Sequence, residues 1–307
     1  MASTEIIPVK PPANQGLGYG ACALAGCLWS TGFYFGKIAL GEMSVGHMVL
    51  YRFLFATAAL LPVLRKPRFS RHEWGLLLVA AFLGVPVQFL VQFYGLSLTT
   101  VSQAALMVGT MPVILAIGAT IFAHEKLDKL GWIALCGSTA GVGLIVFSGR
   151  SADAGPRLTG DLLVVASLVL SLGWILLNKR LMLGNSPLSV TAWGVLLGTA
   201  MLTVWVLLVN GAPPVHGISL RAWLALAASG VLCTASTTLL WNWGIHHVPA
   251  SRAGVFLNIE PAMGSVLGIK LMGDHLGPGT LAGGALILAA AVTLTTSGRA
   301  EPEGMLE

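Results

Sequence analysis

Between Glu73 and Glu125 the chain runs for 51 residues without an aspartate, glutamate, lysine or arginine. A helix that crosses a bilayer needs about 20 apolar residues. This stretch therefore holds two crossings joined by a very short turn near Gly95–Thr100. Similar charge-free runs lie between Lys10 and Lys37, Arg180 and Arg221, Arg221 and Arg252, and Asp274 and Arg299. Barrel strands would show about ten residues of alternating polarity; these runs do not alternate, so they read as helices. Only 9% of the residues are charged and 55% are hydrophobic, whereas a soluble domain carries about 25% charged residues. The expected fold class is all-α integral membrane, with lipid as solvent.

Ten segments fit: 17–40, 45–64, 72–94, 100–122, 130–148, 159–181, 188–209, 221–243, 250–271 and 278–297. The first is too long for the core of a signal peptide and reads as a retained helix. Residues 1–16 and 300–307 are short tails. With the N-terminus in the cytoplasm, eleven Lys and Arg fall on the cytoplasmic side, among them Arg65, Lys66, Arg68 and Arg71. The other side receives Lys37, Arg150, Arg157, Arg221 and Lys270. This asymmetry favours both termini inside. It also explains the net charge of +5 without a nucleic-acid partner.

The two halves resemble each other. Shifted by 149, residues 74–150 align on 223–299 without a gap: Trp74 meets Trp223, Gly95 meets Gly244, Ser102 meets Ser251, Pro112 meets Pro261 and Glu125 meets Asp274. Ser148-Gly149-Arg150 meets Ser297-Gly298-Arg299. The expected halves are 17–150 and 151–299. Five crossings per half is an odd number, so the second half lies upside down relative to the first. Inverted repeats are the architecture of alternating-access transporters.

Two charges sit deep in a span: Arg52 in the second and Glu260 in the ninth. A charge at the bilayer centre costs at least about 2.5–3.5 kcal/mol on insertion scales. Glu260 suits a substrate amine, a proton or a polar neighbour; Arg52 suits a substrate carboxylate or a side chain that snorkels outward, and snorkelling or a structural pair is the expectation for it. The depths of the two also permit a direct pair. Gln88 and Gln92 share one face of the third span, as Thr234, Thr237 and Trp241 do of the eighth. The repeat aligns Gln88 with Thr237 and Gln92 with Trp241. Trp29 and Trp174 lie well inside their spans. Pro112 and Pro261 are expected as related kinks where gating helices bend.

Cys22, Cys27, Cys136 and Cys233 fall in apolar runs without a CxxC pair, so neither a disulfide framework, a metal site nor a cofactor is expected. The seven His lie at or near span ends, and no nucleophile–base set stands at membrane depth; an enzyme is not expected. Gly137-x-x-x-Gly141 fits the small-residue packing motif and reads as a close helix contact that allows a homodimer.

The stretch Leu257-Asn258-Ile259-Glu260-Pro261-Ala262-Met263, then Gly273-Asp274, then the Gly-rich run from Leu281, resembles the second repeat of the EamA family of the drug/metabolite transporter superfamily. Tyr51-Arg52-Phe53, Met111-Pro112-Val113, Glu125 and Gly131–Gly143 resemble its first repeat. Asp274 stands where Glu is usual, and His124 where Gly is usual. The resemblance covers about 17–298. It implies ten helices in two inverted repeats and export of small metabolites or amino acids across a bacterial inner (plasma) membrane. The chain looks most like the YddG-type exporters of aromatic amino acids. In that fold the first, third, fourth, sixth, eighth and ninth helices wall the cavity, which points to Trp29, Tyr34, Gln88, Gln92, Met107, Trp174, Asn178, Trp241 and Glu260. The rivals are a nucleotide-sugar or other metabolite carrier, a membrane-embedded enzyme and a channel. Phosphate would call for several cavity Lys or Arg, and only Arg52 is available.

Overall fold

The computed structural model describes residues 15–66, 69–122, 129–148, 154–247 and 254–297. These residues form helices joined by short turns, with no strand among them. Among the described residues, fourteen α-helices join into ten passes. The first pass is α1 (Gln15–Ser30) and α2 (Gly32–Leu40), and the second is α3 (Val45–Leu60). The third is α4 (Arg71–Phe82) and α5 (Gln88–Leu98) with a π-helical turn, Leu83–Val87, between them. The fourth is α6 (Val101–Val108) and α7 (Met111–Phe122); the fifth is α8 (Lys129–Ser148). The sixth and seventh are α9 (Ala154–Met182) and α10 (Pro187–Val209). The eighth is α11 (Leu220–Gly230) and α12 (Thr237–His247) around a second π turn, Val231–Ser236. The ninth is a 3-10 turn, Gly254–Asn258, running into α13 (Ile259–Met272); the tenth is α14 (Pro278–Ser297).

Five uninterrupted runs are long and apolar enough to cross a membrane by themselves: Val45–Val63, Arg71–Leu98, Arg157–Met182, Pro187–Val209 and Leu220–Gly244. The first, fourth and ninth passes are broken in mid-course, which is why hydropathy found them and helix length alone does not.

The packing obeys the repeat. The fifth pass lies along the tenth and the fourth along the ninth. The sixth packs on the third as the first packs on the eighth, and the seventh on the third as the second on the eighth. Each pairing maps onto another, or onto itself, when five is added to both numbers. Between the second and seventh passes, Thr57 Oγ1 and Thr199 Oγ1 share a hydrogen bond of 2.9 Å. The local irregularities repeat as well. The two π turns coincide under the 149-residue shift, and Ser70 and Ser219, equivalent by the same shift, cap the helices that lead into them. Ser70 makes a full capping box with Glu73, satisfying backbone donors that lipid could not.

Each π turn has a different chemical cause. Pro86 sits inside the first; it lacks an N–H and crowds the preceding turn, and a widened turn relieves both. In the second, Thr234 Oγ1 donates to the Ser229 carbonyl five residues back, at 3.2 Å.

The two prolines expected as mid-helix kinks hold a different position. Pro112 is the second residue of α7 and Pro261 the third of α13. A helix start tolerates proline because its first N–H groups have no intrahelical acceptor. The interruption precedes each proline, at Gly109–Thr110 and at the 3-10 turn.

Gly141 makes the close helix contact that its spacing suggested. A Cβ there would stand 2.6 Å from the Gly283 carbonyl oxygen, and one on Gly283 would stand 2.5 Å from the Gly141 carbonyl oxygen. The small-residue contact at Gly141 lies inside the chain, between α8 and α14.

Candidate functional site

Arg52 is the eighth residue of α3, in mid-helix, and only 5% exposed. It does not snorkel. Its guanidinium carbon lies 5.0 Å from the Phe89 ring centre and 5.1 Å from that of Phe93, two stacked rings on α5. Such contacts are worth about 0.5–2 kcal/mol each. Its Nε donates to Thr234 Oγ1 at 3.0 Å. The second π turn thus has a use: it aims Thr234 at the arginine. Beside it, Cys233 Sγ shares a 3.1 Å hydrogen bond with Thr31 Oγ1, at the bend between α1 and α2. That bend is made by hydroxyls, since Ser30 and Thr31 donate to the carbonyls of Cys27 and Leu28 at 2.6 and 2.7 Å.

Glu260 lies half-buried in the first turn of α13. It acts on Arg52 through space, but no direct ion pair joins the two. Glu260 has no hydrogen-bond partner among the described residues. The centre thus holds one cation and one anion that do not neutralise each other by contact.

Around this centre the expected residues divide. Trp29 and Trp241 meet with ring centres 5.5 Å apart at 53°, joining the first pass to the eighth. Trp174 lies directly on Gly84, where any side chain would collide with its indole. Gln88 and Gln92 are each 8% exposed, and Gln88 Oε1 is sealed without a partner. Asn178 is half-buried. Met107 is fully buried in the apolar core. Tyr34 is elsewhere: it lines a lateral cleft with Phe35, Ile38, Leu220 and Arg221. Pro261 packs near Gly109 on the fourth pass.

The two ends of the bundle differ. From Val101 through Thr110 every residue is buried. At this end Lys37 Nζ donates to the carbonyls of Leu96 and Thr99 at 2.7 and 2.6 Å. Thr99 Oγ1 donates to Asp161 Oδ1 at 2.6 Å, and Asp274 Oδ2 accepts from the backbone N–H of Ser102 at 2.8 Å. The first, third, fourth and sixth passes, the turn between the third and fourth, and the loop after the ninth are stitched together there. At the opposite end no residue is buried from Gly173 through Asn178, from Thr238 through Asn242, or from Phe256 through Glu260. Among the described residues, the hydrogen bonds that tie several passes together through charged side chains gather at the Thr99 end.

Sequence reasoning did not find this stitching, because Lys37, Asp161 and Asp274 read as ordinary charges near span ends. The signal available was the repeat, which pairs Asp274 with Glu125; Glu125 lies outside the described residues. Among the described residues no cluster of His, Cys, Asp and Glu is arranged to hold a metal ion.

The EamA-like transporter family matches the chain twice, over residues 16–147 and 158–296. An uncharacterized transporter of Archaeoglobus fulgidus is 28% identical over 282 residues, covering 90% of this chain and 96% of that protein. The uncharacterized transporter YetK of Bacillus subtilis is 24% identical over 256 residues, covering 81% and 78%. A solved crystal structure superposes with a TM-score of 0.64 at 19% identity, over 92% of this chain and 98% of that one, and so shares the fold.

Proposed function

Because the chain belongs to the EamA-like transporter family, we propose that this membrane transporter exports amino acids, aromatic and other neutral ones first, with related small metabolites. Transport runs by alternating access through the centre of the bundle. The observation that carries this reading is the juxtaposition at that centre. Arg52 and Glu260 have opposite charge and no direct contact, matching the two ends of a zwitterion. Trp29 and Trp241 stand on the same two passes that supply Thr31 and Thr234, and an aromatic or aliphatic side chain fits such a wall.

The Lys and Arg distribution puts the Thr99 end outside, in a bacterial inner membrane with both termini cytoplasmic. A nucleotide-sugar carrier fits less well, since a phosphate-bearing substrate needs several cavity cations and Arg52 is the one cation placed at the centre among the described residues.

The test is uptake of labelled phenylalanine and tryptophan into liposomes holding the purified protein, with and without a pH gradient. Saturable flux competed by other neutral amino acids is expected. Glu260→Gln tests proton coupling against facilitated diffusion. If that variant abolishes a pH-driven component, protons couple through Glu260; flux unaffected by the variant and by the pH gradient excludes coupling through that residue. Absence of any amino-acid flux would overturn the reading.

A further inference from the structure

Arg52 is a guanidinium with one of its three nitrogens engaged. Nε is fixed by Thr234, and the guanidinium carbon lies over the rings of Phe89 and Phe93. Nη1 and Nη2 donate to no described residue, yet neither is among the sealed buried atoms. A guanidinium does not shed its charge as a lysine can. In mid-membrane an arginine with two open donors is stable only beside an anion or water. Glu260 does not fill the place by contact.

The remaining neighbour is Gly32, the first residue of α2. A Cβ on Gly32 would lie 3.7 Å from Nη1 and 3.9 Å from Nη2. The helix start beside the guanidinium therefore presents backbone and no side chain. A helix N-terminus favours negative charge, so the guanidinium and the helix start act in the same direction.

We propose that Arg52, flanked by Gly32, is the carboxylate seat of the transporter: Nη1 and Nη2 hold one carboxylate of the substrate through paired hydrogen bonds. Thr234, Phe89 and Phe93 are positioning residues that fix the plane of the fork. This rests on the amino-acid reading but is narrower. It makes the carboxylate, and not the amine or the ring, the group without which a molecule is refused. Loss of paired hydrogen bonds to a charged group weakens binding about tenfold or more.

The experiment is competition against labelled phenylalanine bound to the purified full-length protein. The competitors are 3-phenylpropionate, which lacks the amine, and phenethylamine, which lacks the carboxylate. The seat predicts that phenethylamine competes at least about tenfold more weakly than 3-phenylpropionate. Arg52→Lys, which keeps charge but not the fork, lowers phenylalanine affinity by a similar factor. Gly32→Ala is the folding control. Its methyl fits at ordinary contact distance, so the melting temperature holds while affinity falls, because the methyl covers the open edge.

Equal competition by both analogues, or unchanged affinity in Arg52→Lys, overturns the seat and leaves the amino-acid reading standing. If phenylalanine does not bind but labelled 3-phenylpropionate does, in an Arg52-dependent manner, the seat stands and the amino-acid reading falls. If neither carboxylate binds, the seat falls.

Discussion

The ammonium of Lys37 lies 2.6 Å from the Thr99 carbonyl oxygen. It lies 2.7 Å from that of Leu96, so one lysine of the first pass closes the carboxyl end of α5. The last carbonyls of a helix have no intrahelical donor, and a cation there also meets the negative end of the helix dipole. Lys37→Met leaves both carbonyls short of a donor in a largely buried place. It should lower unfolding stability by about 1–3 kcal/mol, read as a fall in melting temperature in detergent. An unchanged melting temperature would show that water replaces the ammonium at no cost.

Asp274 holds the opposite polarity, accepting from the Ser102 N–H at the start of α6. Asp274→Ala should cost about 0.5–2 kcal/mol, as loss of a helix N-terminal acceptor does elsewhere. Gly268→Ala should be worse, because its Cβ would stand 2.2 Å from Ser102 Oγ and 2.7 Å from Ser102 N. The order of melting temperatures, wild type above Asp274→Ala above Gly268→Ala, is the check.

Gly141→Val tests whether the small-residue stripe serves folding or association. With the Gly283 backbone facing it, overpacking should destabilise by about 1–3 kcal/mol. The oligomeric state in detergent, measured by light scattering, should not change. A shift from dimer to monomer without loss of melting temperature would return the stripe to a dimer face.

At the Thr99 end, outside the membrane-spanning segments, Ser219 donates its hydroxyl and its N–H to Glu42; the N–H bond is 2.7 Å. These bonds hold the Glu42 carboxyl below its ordinary value of 4.5. A carboxyl depressed in the folded state contributes stability that is present above the unfolded value and lost as pH falls through the folded one. The tie between this loop and the start of α11 should thus weaken only below about pH 4.5. Glu42→Gln should flatten that part of the melting-temperature profile; a profile identical to wild type would remove Glu42 from the account.

Pro112 and Pro261 mark where helices restart. If breaks at these points let the fourth and ninth passes move, Pro112→Ala with Pro261→Ala removes the steric block that proline sets against the preceding turn, lets each helix continue back across its break and stiffens both. Flux should fall several-fold, with substrate affinity held. Wild-type flux in the double variant would exclude a gating role for the prolines.

The repeat was legible because Trp74, Gly95 and Pro112 recur 149 residues on, with Asp274 answering Glu125, and rare residue types keep their register even when apolar ones drift. Arg52 and Glu260 were legible as foreign to lipid. Their surroundings were not: Phe89 and Phe93 looked like any other aromatics, Thr234 like any helix hydroxyl, and Tyr34 like a cavity residue though it faces a lateral cleft.

By itself the sequence determined that the chain lives in a bilayer as ten helices in two inverted halves, since hydrocarbon admits no unpaired backbone and apolar run length sets the number of crossings. The tertiary structure decided which polar groups meet. A π turn rotates Thr234 onto Arg52, a hydroxyl-made bend brings Gly32 to the guanidinium, and Lys37 reaches carbonyls 59 and 62 residues away. Those encounters depend on how helices cross and bend over a few ångströms, and inside a span one apolar residue records that no differently from the next.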